Sequence, residues 1–282
     1  MDEISRLQEE NQKLNARLEA LNEKLEKSEG YKSYFISLIT NEIINPFTSI
    51  LGLSKAITQL GGNDMNKAKE LAQIIYSEAF FLDFQLNNIF MAARLEAGEA
   101  VANPVKVDVV SVLKQVLDEF KPEAEKKSLE LLLENDDNPA LSVFVVDPVI
   151  IKIVVSNLVS NAIKASDPEN RVVVYAGVEE GILNITVQDF GVGIEQQKIH
   201  ELFDRFKRLD ETINSINTGS GIGLPVVTGV LDLLHGKLDV ESEPGKGSIF
   251  RVTVPEAIRT DCGFAADDDE LFFDMDDEAE SF

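Results

Sequence analysis

The spacing of apolar residues changes once along this chain, and the change splits it into a helical part and a mixed part. From the N-terminus, Ile4, Leu7, Asn11, Leu14, Leu18, Leu21, Leu25 and Ser28 alternate three- and four-residue steps, the a/d seam of a coiled coil. Asn11 falls at an a position, where a buried amide is satisfied by the same residue of a parallel, in-register partner. A parallel two-stranded coil is therefore expected over residues 1–30. Continued in phase, the seam reaches Phe35 and Ile39 and runs into "TNEIINPFTSI" (Thr40 to Ile50), where Pro46 removes a backbone donor and loosens the helix. After the turn cluster "GGND" (Gly61 to Asp64), a second helix is expected from about Asn66 to Glu96, with Leu71, Ile74, Ile75, Phe81, Leu82, Ile89 and Leu95 on its apolar face. Residues 31–96 then form a helical hairpin, and two hairpins joined by the coil make a four-helix bundle in a homodimer.

"AGEAVANP" (97–104) reads as a linker, and beyond it helices alternate with the β-rich runs "SVFVV", "RVVVYAGV", "ILNITVQD" and "SIFRVTVP". This mixture predicts an α/β sandwich domain over 105–258. The formal charge of −24 would repel nucleic-acid phosphates and an anionic membrane surface, so nucleic-acid binding is not expected. From Asp261 onward the chain has no Lys or Arg, and 259–282 reads as an acidic disordered tail, in which Leu271, Phe272, Phe273 and Met275 form an apolar cluster. No uninterrupted apolar run reaches the roughly 18 residues of a membrane helix, and the acidic, helical start is unlike a signal peptide, so a soluble, cytoplasmic chain is expected. The lone Cys262 has no partner for a disulfide within the chain.

Three stretches carry chemistry. "NLVSNAIKAS" (Asn157 to Ser166) puts Asn157, Asn161 and Lys164 on one helical face, two amides and an ammonium suited to a hydrated magnesium ion and bridging phosphates. In "DFGVGI" (Asp189 to Ile194), which follows a strand, Gly191 and Gly193 permit close backbone approach to a ligand, and Asp189 offers a carboxylate to an exocyclic amine. "GSGIGL" (Gly219 to Leu224) opens a helix with Gly219, Gly221 and Gly223, leaving N–H groups for phosphate. Each signal is weak alone, whereas their order and context make the set specific. "DFG" lacks the other protein-kinase signatures, and the glycine spacing of "GSGIG" is not that of a dinucleotide fold.

From about Tyr31 to Pro255 the chain resembles the cytoplasmic part of two-component sensor histidine kinases, a dimerisation and phosphotransfer hairpin followed by a catalytic ATP-binding domain. "NLVSNAIKAS" is similar to that family's N box, "DFGVGI" to its G1 box, "LFDRFKRLD" (Leu202 to Asp210) to its F box and "GSGIGLPVV" to its G2 box. The resemblance implies ATP and Mg2+ as cofactors, with Asn161 on the metal, Asn157 and Lys164 near the phosphates, and Asp189 on the adenine amine. It implies that Gly191 and Gly193 shape the adenine pocket, and that Gly219, Gly221 and Gly223 bound a mobile lid of about Lys207 to Thr218, anchored by Phe203 and Phe206. His200 and His235 match no catalytic position. The gyrase and mismatch-repair ATPases share these motifs, but the coiled hairpin and "NEIINP" argue against them.

The departure lies in the hairpin: "NEIINP" keeps Glu42, Asn45 and Pro46 but has Asn41 where the family has its phosphoacceptor histidine. A carboxamide nitrogen has its lone pair delocalised into the carbonyl and cannot attack a phosphorus as imidazole does. Mg-ATP binding without autophosphorylation is expected, as in a pseudokinase or a silenced kinase. The resemblance also implies a response-regulator receiver domain as partner, and a phosphatase activity in which Asn45 places the attacking water. A non-catalytic dimeric scaffold that binds a signalling partner is the alternative.

Overall fold

The computed structural model describes residue 17 and residues 43–61, 64–136, 138–203 and 221–257. Asn41, Glu42, Gly219, the expected lid, the acidic tail with Cys262, and all of the expected coil but residue 17 lie outside the described residues, as do the side chains of His200 and Phe203.

Two helices come first, α1 (Asn45–Thr58) and α2 (Met65–Ala97), packed against each other. Pro46 sits in the first turn of α1, where its missing N–H costs no helical bond. Gly98 ends α2 in the left-handed region (φ 70°), and the Arg94 carbonyl there accepts from the N–H groups of Glu99 and Ala100. The linker is then tied down at Asn103, whose N–H donates to Asp147 Oδ2 over 2.7 Å.

The mixed part contains β1 (Val105–Val107), α3 (Val109–Lys126), β2 (Glu130–Asn135), β3 (Phe144–Val146), α4 (Pro148–Ala165), β4 (Arg171–Glu179), β5 (Ile182–Asp189), α5 (Gly223–Leu233), β6 (Lys237–Glu243) and β7 (Gly247–Pro255). Strands β2-β4-β5-β7-β6 form one five-stranded sheet, with β2–β4 parallel and the other pairs antiparallel. Strands β1 and β3 pair separately. Alternation buries Val172, Val174 and Ala176 of β4, Leu183, Ile185 and Val187 of β5, and Phe250, Val252 and Val254 of β7. The inner face of this mixed sheet is covered by α3, α4 and α5.

Helix α4 is the centre of that layer. Asp147 caps it, accepting from the N–H groups of Val149 and Ile150, and Pro148 supplies the preset first turn. Its 18 residues are long and apolar enough to cross a membrane although Asn157, Asn161 and two lysines interrupt the apolar run, and 61% of that stretch is buried inside the domain.

Helix α2 lies against α3, α4 and α5 through a stripe that includes Ile89 and Leu95 of the expected apolar face, but its other buried members, Ser77, Gln85 and Asn88, are polar. The rings of Phe80 and Phe84 meet Phe120 of α3 edge-on at 5.2 and 5.5 Å. Beside them the Ser77 hydroxyl donates to Glu123 Oε1 and accepts from Lys126 Nζ, both at 2.7 Å. Phe120 is 2% exposed and meets two rings of α2, so Phe120→Ala should cost about 3–5 kcal/mol of unfolding free energy. Urea denaturation followed by circular dichroism checks this, and a loss below about 1 kcal/mol would show that the ring is not a packing centre.

Candidate functional site

On α4, Asn157, Asn161 and Lys164 stand at helical spacing, and their surroundings differ. Asn157 is 3% exposed, and its Nδ2 donates to Asn88 Oδ1 of α2 at 2.7 Å and to the Ile153 carbonyl at 2.9 Å. Asn161 is half-buried one turn further along. Lys164, also half-buried, holds its ammonium 5.1 Å from the centre of the Phe81 ring, a cation–π contact.

Asp189 ends β5 at 2% exposure. Its Oδ1 accepts the Gly191 N–H at 3.0 Å and the Ser248 N–H at 3.2 Å. Burial raises its pKa above the ordinary aspartate range, against these hydrogen bonds, which favour the ionised form. The turn beyond Asp189 lies against protein backbone. A Cβ at Gly191 would fall 1.9 Å from the Ala165 carbonyl oxygen, and one at Gly193 (φ 66°) 2.1 Å from that of Glu243. The close approach expected at these two glycines is thus made by the protein itself. The Val192 N–H donates to the Ala165 carbonyl at 3.1 Å, and the Val192 carbonyl accepts from Gly245 at 2.8 Å.

The third stretch begins α5. Gly221 has φ 67°, and the N-cap Ile222 has no side-chain oxygen to offer the first-turn N–H groups. A Cβ at Gly223 would lie 2.6 Å from Asn157 Oδ1, so the glycine lets the start of α5 rest on that amide. Helix α4 therefore brings the three motifs together: Asn157 abuts α5, Ala165 abuts the 189–193 turn, and Asn161 lies one helical turn from each. Asn45 is remote in kind, exposed in the first turn of α1, and His235 is exposed at the end of α5.

Sequence reasoning missed Ser248, Ser242 and Asn88. The Ser242 and Ser248 hydroxyls are 3.0 Å apart, and Ser242 also accepts the Ile194 N–H at 2.7 Å. The turn residues "PGKG" between them are the local signal that two strands meet there.

Residues 146–258 match the family described as "Histidine kinase-, DNA gyrase B-, and HSP90-like ATPase". The circadian input-output histidine kinase CikA of Thermosynechococcus vestitus is 30% identical over 248 residues, 86% of this chain and 34% of that protein. The autoinducer 2 sensor kinase/phosphatase LuxQ of Vibrio parahaemolyticus is 28% identical over 236 residues, 82% of this chain and 27% of that protein. The chain carries a two-component sensor histidine kinase catalytic domain. The chain spans between about a quarter and a third of the length of those relatives. In fold it is similar to full-length ShkA, solved in complex with AMPPNP, at a TM-score of 0.56 and 22% identity over 79% of this chain and 46% of that one. The matched segment makes this an ATP-binding kinase core.

The raised pKa of Asp189 fixes the sign of a pH effect in this kinase domain. The fold binds the Asp189 proton more tightly than the unfolded chain does. The resulting stability is fully present below the unfolded pKa and is lost as pH rises through the folded one. Asp189→Asn does not titrate, so without nucleotide its melting temperature should gain on that of the native chain as pH goes from about 4 to about 7. A difference that is flat or shrinks over that range, measured by scanning calorimetry, would contradict the burial argument.

Proposed function

We propose that this chain is the dimeric core of a two-component histidine kinase that binds Mg-ATP and, with Asn41 as acceptor, does not phosphorylate itself. The observation that carries the reading is the convergence on α4: a buried Asp189 carboxylate beyond one end, an α5 start beside Asn157 whose N-cap Ile222 offers no side-chain oxygen, and Asn161 between. Asp189 has acceptor sites beyond its two backbone bonds and would take a hydrogen bond from the adenine amine. Gly191 and Gly193 shape the adenine wall. The α5 N-terminus, with Gly219, Gly221 and Gly223 bounding a lid of about 207–218, would receive phosphates, with Asn157 and Lys164 beside them. Among the described residues no cluster of three or more His, Cys, Asp or Glu could hold a metal. The Asn161 amide oxygen would hold a magnesium ion together with phosphate oxygens and water, a set of hard oxygen donors that suits it.

Residues 1–30 as a parallel coil, 31–96 as the dimerising hairpin, 97–104 as linker, 105–258 as the ATP-binding domain and 259–282 as acidic tail complete the organisation, in a cytoplasmic setting. Exposed Ile44, the N-cap of α1, and Phe47 and Leu51 on that helix, with Ile74, Tyr76 and Phe90 on α2, support a second copy as the cover of the hairpin. The partner is a response-regulator receiver domain. Glu42 and Asn45 keep the family layout around the silent acceptor, and the exposed Asn45 amide can hold an attacking water for dephosphorylation without acting as nucleophile. The name of LuxQ, a kinase/phosphatase, supports this second activity.

Three measurements test the proposal. Incubated with radiolabelled ATP, the chain should gain no acid-labile phosphate, whereas Asn41→His should become labelled; label on the native chain overturns the silent-acceptor reading. Asp189→Asn should weaken Mg-ADP binding by more than about tenfold, the loss of one hydrogen bond to a charged group, and a scaffold indifferent to nucleotide would keep its partner binding in that variant. Asn45→Ala should lengthen the lifetime of a phosphorylated regulator, and an unchanged lifetime rules out the phosphatase role.

A further inference from the structure

The C-terminal end of α4 raises an accounting question: the last four carbonyls of a helix have no partner within it, and this end is built into the domain. Ala162 is satisfied by Ser166, whose N–H and hydroxyl donate to it at 3.0 and 2.8 Å. Ala165 is satisfied by the Val192 N–H. The two between, Ile163 and Lys164, accept from Lys127 Nζ at 3.0 and 2.9 Å, and the Ser166 carbonyl accepts from the same ammonium at 3.2 Å. An ammonium has three donors, and all three are spent on this helix end.

Lys127 lies 36 to 39 residues away from these acceptors, in the turn after α3, and its backbone is held as well. Its N–H donates to Ala124 at 3.0 Å and its carbonyl accepts from Glu169 at 3.1 Å, with Ser128 (φ 55°) and Glu169 (φ 62°) making the left-handed bends that bring the two strands' starts together. The half-buried charge also opposes the negative end of the helix dipole.

We propose that Lys127 is a positioning residue: it fixes the last turn of α4 so that the Ala165 carbonyl holds Val192, and thereby sets the Asp189–Gly193 turn at the distance from Asn161 that a nucleotide requires. Gly191 leaves no slack in this joint, since its backbone already lies against Ala165. Movement of the last turn passes directly to the turn that carries Asp189. The nucleotide consequence rests on the function proposed above, whereas the placement of Val192 does not.

The test compares the whole chain with Lys127→Met, which keeps the apolar stem and removes the donors, and Lys127→Arg, which restores a cation with N–H donors. Amide hydrogen exchange reads the joint, and calorimetric titration with Mg-ADP reads the site. In Lys127→Met the Val192 amide should exchange at least about tenfold faster, while the core amides of β4 keep their protection, and the Mg-ADP dissociation constant should rise at least about tenfold. Lys127→Arg should recover part of both losses. Unchanged exchange at Val192, a uniform loss of protection that includes β4, or no recovery in Lys127→Arg overturns the positioning role. Failure of the native chain to bind Mg-ADP overturns the nucleotide reading instead, and Val192 exchange then decides the role of Lys127 by itself.

Discussion

The arrangement of this domain depends on satisfying both ends of one buried helix. Helix α4 carries Asn157, Asn161 and Lys164, and much of its surface is in the core, so water is a poor partner for its terminal groups. At one end the buried Asp147 carboxylate spends Oδ1 on the N–H groups of Val149 and Ile150 and Oδ2 on the Asn103 N–H. The interaction that orders the helix thus also anchors the linker leaving α2. At the other end a hydroxyl, an ammonium and a loop N–H divide the carbonyls among themselves. Each donor comes from a different segment, and the end of α4 is where they are held in register.

The glycines of the site follow from the same constraint. Gly191 gives way to the Ala165 carbonyl, Gly193 to that of Glu243, Gly223 to the Asn157 amide, and Gly247 (φ 94°) to the carbonyl of Asp189, where a Cβ would come within 2.1 Å. Side chains at these positions would hold the segments apart, and the Asp189 carboxylate would lose the N–H groups of Gly191 and Ser248 that face it. A carboxylate 2% exposed is tolerated because those donors are brought to it.

Much of this was legible in the sequence, for physical reasons that also explain the gaps. Strand β5 spans the run "ILNITVQD" because strict alternation of apolar and polar residues has one structural reading, and the three motif stretches stand out because glycine, asparagine and aspartate sit where apolar periodicity would predict otherwise. Lys127 was not legible, since a lysine ending a helix looks the same whether it faces solvent or caps another helix 36 residues on. The polar members of the inner stripe of α2 were missed for the opposite reason: Ser77 and Asn88 are buried, and their acceptability depends on partners in α3 and α4 that no local pattern announces.

Asn157 shows how far packing alone accounts for a motif residue. Its Nδ2 faces two acceptors, Asn88 Oδ1 and the Ile153 carbonyl, and its Oδ1 faces the start of α5 at Gly223. The position needs a donor group with two hydrogens on the side that faces Asn88 and the Ile153 carbonyl. Aspartate would place a carboxylate oxygen against two acceptors in a buried setting, and serine is too short to span from α4 to α2. The carboxamide supplies both hydrogens, so packing at the joint between α2 and α4 accounts for the amide nitrogen of Asn157. The half-buried Asn161, one turn further along α4, is not tied into that joint by any side-chain hydrogen bond among the described residues.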